Sequence, residues 1–305
     1  MKILVILFNI IFFAHVWAEQ LITVVSVQLH SGDVGNFAKM RALVKQAKTQ
    51  HVDLVIFRED SVFGWLNPEV FIKAAPIPGK YSDELIAIAK DEHVWLAAGL
   101  AEQGPKAGAG AHKDAHQVYD TVILINPDGE IILHHRQFNV VKNAFLPEAC
   151  KQILNQDQCS YIPGELSDIK VISTVFGKTA ILVCSDAYTY SPAEALEVLL
   201  KQQANFVIVS WGITASRQNE CGTSGFNAAK YASEAAVYLK NAFVVGANAV
   251  GPRVYGRFLP SVYCGTSGYA TPTGQVIEAK EPLAELVFFH ISKKNVLEQE
   301  CMKCL

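Results

Sequence analysis

Gly177-Lys178-Thr179-Ala180-Ile181-Leu182-Val183-Cys184-Ser185-Asp186 is an apolar run that opens on a glycine and closes on a thiol beside a hydroxyl and a carboxylate. Ala180 to Val183 is uninterrupted, the pattern of a strand buried on both faces; a half-exposed strand would alternate. Leu54-Val55-Ile56-Phe57 repeats the pattern and runs out into Arg58-Glu59-Asp60, and Phe206-Val207-Ile208-Val209 repeats it again. Working outward, strands are expected at Ile22–Leu29, Asp53–Phe57, Trp95–Leu100, Thr121–Ile125, Glu130–His134, Thr179–Cys184, Phe206–Ser210, Phe243–Ala247 and Gly268–Thr271. Helical periodicity fills the gaps at Asn36–Gln50, Ser82–Asp91, Pro192–Gln203 and Ala228–Ala242. Ser191-Pro192-Ala193-Glu194 reads as an N-cap, a first-turn Pro and a capping-box Glu. Strands alternating with helices predict an α/β fold with helices over sheet faces.

Two of these strands end in reactive groups, Glu59 and Cys184. Ligands in open α/β sheets sit at the carboxyl ends of strands, so a carboxylate and a thiol there can share a pocket. Each also has a plainer reading: Glu59 as a solvated strand-end charge, Cys184 as a small buried hydrophobe.

Of 305 residues half are apolar and only 18% charged, with a formal net charge of −3. That length carries a large core. No basic block or aromatic-interleaved basic stripe points to nucleic acid. No repeat or low-complexity linker divides the chain. At the N-terminus Lys2 precedes an apolar run ending in Val16-Trp17-Ala18, which predicts a signal peptide over 1–18 cut after Ala18. The run is too short to span a bilayer comfortably, so no stable membrane anchor is expected after cleavage. Residues 19–290 then form the catalytic domain, and 291–305 a tail. The expected location is secreted or periplasmic.

Export sets how the seven cysteines are read. With Cys184 free, six remain for disulfides in an oxidising compartment. The sequence-local pairing is Cys150–Cys159, Cys221–Cys264 and Cys301–Cys304, among about fifteen connectivities that six cysteines allow. Cys301-x-x-Cys304 lacks the companion spacing of a metal site, and no metal or organic cofactor is implied.

The order of flanking motifs resembles the nitrilase, or carbon–nitrogen hydrolase, superfamily over nearly the whole expected mature chain. Val25-Ser26-Val27-Gln28 with Gly32-Asp33 and Asn36 is similar to its first strand and helix start. Leu54–Glu59 with Phe63-Gly64-Trp65 is similar to its glutamate motif, where a Pro usually replaces Arg58. Gly177–Asp186 is similar to its cysteine strand. Ala247–Gly251, Gly265–Gly268 and Pro272-Thr273-Gly274 resemble the late motifs. Ser191–Leu196 and Phe206–Trp211 look most like the secreted biotinidase and pantetheinase (vanin) branch.

The resemblance implies a four-layer α-β-β-α sandwich and a thiol amidase acting on a non-peptide, linear amide. Glu59 would be the general base and Cys184 the nucleophile forming an acyl-enzyme. The backbone N–H of Ser185 and a lysine would hold the oxyanion, and that lysine would lower the thiol pKa. Trp211 would bind the small-molecule substrate. The lysine is where this chain departs. Counting from the turn Asn126-Pro127-Asp128-Gly129, His135-Arg136-Gln137 places Gln137 at its position. Glutamine can donate a hydrogen bond but carries no charge, and losing such a donor costs on the order of 10²–10³ in rate.

Lys142 in Val141-Lys142-Asn143-Ala144-Phe145-Leu146-Pro147-Glu148 resembles the lysine–Leu–Pro–Glu region of other branches. It either substitutes, with Glu148 as a second site carboxylate, or is an ordinary exposed lysine. His134 and His135 are read as strand-face residues. The alternative function is a catalytically silent ligand-binding homologue; acyl transfer to an amine ranks behind both. By analogy with relatives the chain is expected as a homodimer or, as secreted members can be, a monomer. Loops Gln103–His116 and Ile213–Phe226 are expected at the pocket but carry no readable substrate code.

Overall fold

The computed structural model describes residues 21–190, 193–223, 225–279 and 285–292. The expected signal peptide, Ser191 and Pro192, and the pair Cys301 and Cys304 lie outside the described residues. In chain order the elements are β1 (Leu21–Val27), α1 (Phe37–Lys48), β2 (Leu54–Phe57), α2 (Val70–Lys73), α3 (Lys80–Glu92), β3 (Trp95–Lys106), β4 (His116–Ile125), β5 (Ile131–Arg136), α4 (Pro147–Leu154), β6 (Ile172–Thr174), β7 (Gly177–Val183), α5 (Glu194–Lys201), β8 (Phe206–Ser210), β9 (Thr214–Ala215), α6 (Ala228–Leu239), β10 (Phe243–Ala247), β11 (Val250–Pro252), β12 (Val262–Cys264), β13 (Gly268–Ala270), β14 (Val276–Glu278) and β15 (Leu286–Ser292).

Two six-stranded sheets form, ordered β15-β1-β2-β3-β4-β5 and β14-β13-β10-β8-β7-β6. Each has a parallel centre: β1 and β3 flank β2, and β10 and β7 flank β8. Antiparallel strands complete the rims. Alternation along β2 shows how the layers arise. Leu54 and Ile56 pack into the core between the sheets, while Val55 and Phe57 join the outer core with Met40 and Val44 of α1 and Leu85 and Ile88 of α3. Helices α5 and α6 cover the second sheet through Leu196, Leu199, Ala232 and Ala236. The result is the expected four-layer α-β-β-α sandwich, and burial on both faces explains the unbroken apolar strands.

Side-chain hydroxyls stitch the sheets together at their centres. Ser26 Oγ donates to the Gly246 carbonyl at 2.9 Å, and Ser210 Oγ to the Phe57 carbonyl at 2.9 Å. Glu59 N–H then donates to the Trp211 carbonyl at 3.2 Å, so the carboxyl ends of β2 and β8 are held side by side.

Several elements differ from the sequence expectation. Helix α5 begins at Glu194 with Ala193 at the N-cap position, not at Pro192. The short strands β6, β9, β11, β12 and β14 are too brief to show a period. Strand β15 pairs antiparallel with β1 and runs through residue 290, the last of the expected catalytic domain. Helix α4, which opens on Pro147, was not among the expected helices. Residues Gln103–Lys106 extend β3 instead of forming a loop.

Candidate active site

Cys184 opens a 3-10 turn immediately after β7, and Glu59 follows β2 after one residue, Arg58. Cys184 itself adopts φ 39°, as does Asp60 next to Glu59, a left-handed conformation rare for side-chain-bearing residues and common at functional turns. Both strands therefore break sharply where they deliver a reactive group. Cys184 is a free thiol, while Cys150–Cys159 and Cys221–Cys264 are disulfides. These are two of the three pairings drawn from the sequence.

One cleft is lined by Glu59, Gln137, Cys184, Ser185, Tyr188 and Gly212, together with Trp65, Val141, Ile213, Thr214, Gly225, Arg253 and Phe258. The Cys184 thiol shares this cleft with Glu59 and Gly212 and lies 3.8 Å from the Tyr188 hydroxyl. Gly212 is required: a β-carbon there would fall 1.7 Å from Glu59 Oε2.

The electrostatics concentrate on Glu59. Burial pushes its carboxyl up to about 7, against hydrogen bonding to Asp120, the charge of Arg58 and the contact with Cys184, which all favour the anion. Asp120 is fully buried on β4, and neither carboxyl oxygen finds an N–H or O–H donor in the protein. It faces Glu59, and burial plus the Glu59 charge drive its pKa well up. Two carboxyl groups in such contact need one proton between them. Asp120 holds it and donates to Glu59. Arg58, with its guanidinium 4.2 Å from the Tyr263 ring centroid, balances the remaining charge. Burial, then the Glu59 charge, pushes the Cys184 thiol well up. The thiol thus rests protonated, next to a base poised near neutrality.

A second buried carboxylate positions the turn. Asp186 accepts the backbone N–H of Phe138 at 3.1 Å and of Asn139 at 2.7 Å, and contacts His135 Nε2 at 2.7 Å. This clamps the segment after β5 onto the cysteine turn. Gln137 is thereby buried in the cleft, its Nε2 donating to Ser185 Oγ at 3.1 Å. His135 is a buried partner of Asp186, and His134 contacts Glu102 at 2.8 Å.

The structure brings Glu59, Cys184, Gln137 and Ser185 together and leaves three expected site residues apart. Lys142 and Glu148 are exposed and do not line the cleft. The Asp186 clamp fixes the chain so that Val141 faces the cleft and Lys142 points away. Trp211 is wholly buried beneath the site, its ring stacked near Tyr188 and Tyr231; its carbonyl, not its indole, serves Glu59. The lysine expected to acidify the thiol is therefore absent from the described lining. Of the expected pocket loops, Ile213–Phe226 contributes lining residues and Gln103–His116 contributes none. Sequence reasoning missed Asp120, Tyr188, Gly212 and Arg253. Only Asp120 left a signal, a carboxylate inside an apolar strand. No described group of His, Cys, Asp or Glu could hold a metal.

Residues 23–296 match the Carbon-nitrogen hydrolase family, and the chain belongs to it. Among sequence relatives, Omega-amidase NIT2 of Mus musculus is 23% identical over 167 residues, covering 54% of each chain. Pantetheine hydrolase VNN2 of Homo sapiens is 18% identical over 182 residues, covering 53% of this chain and 32% of that one. The chain thus spans about half the length of the first relative and about a third of the second. An amidase from Nesterenkonia sp. superposes with TM-score 0.65 at 17% identity, over 93% of this chain and 96% of that one. A carbon-nitrogen hydrolase from Helicobacter pylori G27 gives 0.64 at 19%, over 93% of each. Both structures share the fold.

Proposed function

We propose that the chain is an exported thiol amidase hydrolysing the carbon–nitrogen bond of a small linear amide. The observation that carries this reading is the free, buried thiol of Cys184 in one cleft with Glu59, whose carboxyl burial pushes up to about 7. Glu59 takes the Sγ proton as sulfur attacks the amide carbon. The carbonyl oxygen becomes an oxyanion facing the Ser185 N–H, with the Gln137 amide as a neutral second donor. The carbon–nitrogen bond breaks, Glu59 passes its proton to the leaving nitrogen, and a thioester remains. Glu59 then deprotonates a water that attacks the thioester carbon; the carbon–sulfur bond breaks, the acid leaves, and Glu59 returns the proton to Sγ. Asp120, holding its own proton, keeps Glu59 available as the acceptor. We assign Lys142, Glu148 and the Trp211 indole no step. Two disulfides and the apolar N-terminal segment support export.

A second reading is a silent ligand-binding homologue, favoured by two observations: among the described residues no lysine lines the cleft, and burial holds the thiol protonated. Ammonia release from a panel of primary amides, with intact-mass detection of an acyl adduct at Cys184, separates the two. Turnover with an adduct is expected. Ligand binding without ammonia or adduct would establish the silent homologue.

A further inference from the structure

The 3-10 turn over Cys184–Ala187 brings Tyr188 back over the thiol. Tyr188 N–H donates to the Ser185 carbonyl at 3.2 Å, and its phenol Oη lies 3.8 Å from Sγ, inside hydrogen-bond range for sulfur. Both residues line the cleft. Other rings fix the phenol in place. Its centroid lies 4.6 Å from that of Tyr231, 4.9 Å from that of Tyr190 and 6.4 Å from that of Trp211. The hydroxyl is therefore held at the sulfur before any substrate arrives, and a donor fixed in advance needs no reorganisation during the reaction.

The sulfur has few other donors. No lysine is among the described lining residues, and Gln137 Nε2 donates to Ser185 Oγ. Arg253, the cation among those residues, packs on the Trp65 and Phe258 rings, its guanidinium carbon 5.4 and 5.5 Å from their centroids. The charges facing Sγ from elsewhere in the fold are carboxyls, Glu59 after β2 and Asp120 on β4. Burial first, then Glu59, pushes the thiol up; the Gly212 N–H and the Tyr188 hydroxyl act the other way, and Asp120 adds to the rise. Tyr188 is itself pushed far above the ordinary phenol range, by burial first and the sulfur's charge next, so it keeps its proton. Its remaining ionisable neighbours are the phenols of Tyr190 and Tyr231. While the thiol is neutral either atom can donate. Once the thiolate forms only the phenol can, and a hydrogen bond to an ion is about twice as strong as a neutral one.

Resting on the thiol-amidase reading, we propose that Tyr188 is a further catalytic residue, whose O–H donates to Sγ whenever the sulfur is charged, in place of the lysine the cleft lacks. As Glu59 takes the Sγ proton, the thiolate accepts the phenol O–H. The carbon–sulfur bond then forms, the carbonyl electron pair moves to oxygen, and sulfur loses its charge. In the second half-reaction water adds and the carbon–sulfur bond breaks. Sulfur leaves with the electron pair into the same hydrogen bond, until Glu59 returns its proton. Tyr188 gives up no proton at any step.

The test is Cys184 alkylation by iodoacetamide across pH on the unreduced full chain, with the label located by peptide mass spectrometry. Tyr188→Phe keeps the ring and its stacking and removes only the hydroxyl. A charge-assisted hydrogen bond changes the thiolate fraction roughly 10- to 100-fold. The greater nucleophilicity of a more basic thiolate offsets about half of that on a logarithmic scale. Labelling is therefore expected to fall roughly 3- to 10-fold at neutral pH, with the melting temperature unchanged and the Glu59 midpoint still near 7. Replacing Tyr188 by a ring-fluorinated tyrosine, a more acidic phenol and so a stronger donor of nearly the same shape, should raise labelling above native. Packing alone would not produce that order. Labelling unchanged in Tyr188→Phe, or no faster in the fluorinated protein, overturns the proposal and leaves the thiol reading intact. If Tyr188→Phe does not fold, the fluorinated protein decides by itself. Failure of Cys184 to label in the native protein overturns the thiol reading, and this inference with it.

Discussion

The carboxylate of Glu59 occupies the space that any side chain on Gly212 would fill: a β-carbon there would lie 1.7 Å from Oε2 and 2.9 Å from Cδ. The backbone N–H of the same glycine favours the Cys184 thiolate. Base and nucleophile are thus registered on one residue that can have no side chain. Gly212→Ala is expected to push Glu59 off the thiol and cost about 10² or more in Cys184 alkylation, as angstrom-scale misplacement does. Because the displaced atoms are the end of a flexible side chain, the melting temperature should change little. Unchanged alkylation would show that Glu59 does not act on the thiol.

Glu59 sets the pH dependence. Its carboxyl titrates near 7, and only its anion can accept the thiol proton. Alkylation and turnover are expected to rise with pH through about 7 and to plateau above it. In Glu59→Gln that rise should vanish and labelling should begin only at the higher pH at which the buried thiol ionises by itself. A native profile retained by the variant would assign the base elsewhere.

The same carboxyl is a stability liability above neutrality. Its folded pKa of about 7 lies above the ordinary 4.5, so the folded chain binds this proton more tightly than the unfolded chain. Stability is intact below the unfolded value and is lost as pH rises through the folded one. Glu59→Gln should therefore be more stable than the native protein at pH 8, by the order of 1–3 kcal/mol, with the difference shrinking toward pH 4.5. Parallel melting curves across that window would contradict the assignment.

Asp186, itself fully buried, holds two backbone N–H groups and the buried His135. Asp186→Ala leaves those donors unpaired, and a loss of roughly 3–5 kcal/mol in chemical denaturation is expected. Cys184 labelling should fall too, because Gln137 and Ser185 lose their register. A loss below about 1 kcal/mol would mean that water replaces the carboxylate.

Gln137→Lys places a cation next to Ser185 and the thiol. The alkylation profile of Cys184 is expected to move to lower pH, with a gain of about tenfold or more at pH 7. Lys142→Ala, outside the cleft, should leave the profile in place. A fall in the Lys142 variant would return that lysine to the site.

Much of this was legible along the chain, for identifiable reasons. Ala180–Val183 and Leu54–Phe57 read as doubly buried strands because nothing polar interrupts them, and both end in the residues that meet in the cleft. Cys150–Cys159 and Cys221–Cys264 could be paired by sequence neighbourhood. Helix α5 begins at Glu194, later than the capping pattern places it, and Ser191 and Pro192 of that pattern lie outside the described residues. Strand β15 escaped because its partner, β1, lies at the opposite end of the chain.

What the amino-acid order determined by itself is local: strand and helix periods, the two reactive strand ends, and the glutamine where resemblance expects a lysine. The tertiary structure decided which charges count. Burial, not sequence position, brings Asp120 to Glu59 and leaves Lys142 in solvent. Solvation and through-space charge depend on what surrounds a group in three dimensions, and no residue's chain neighbours specify that.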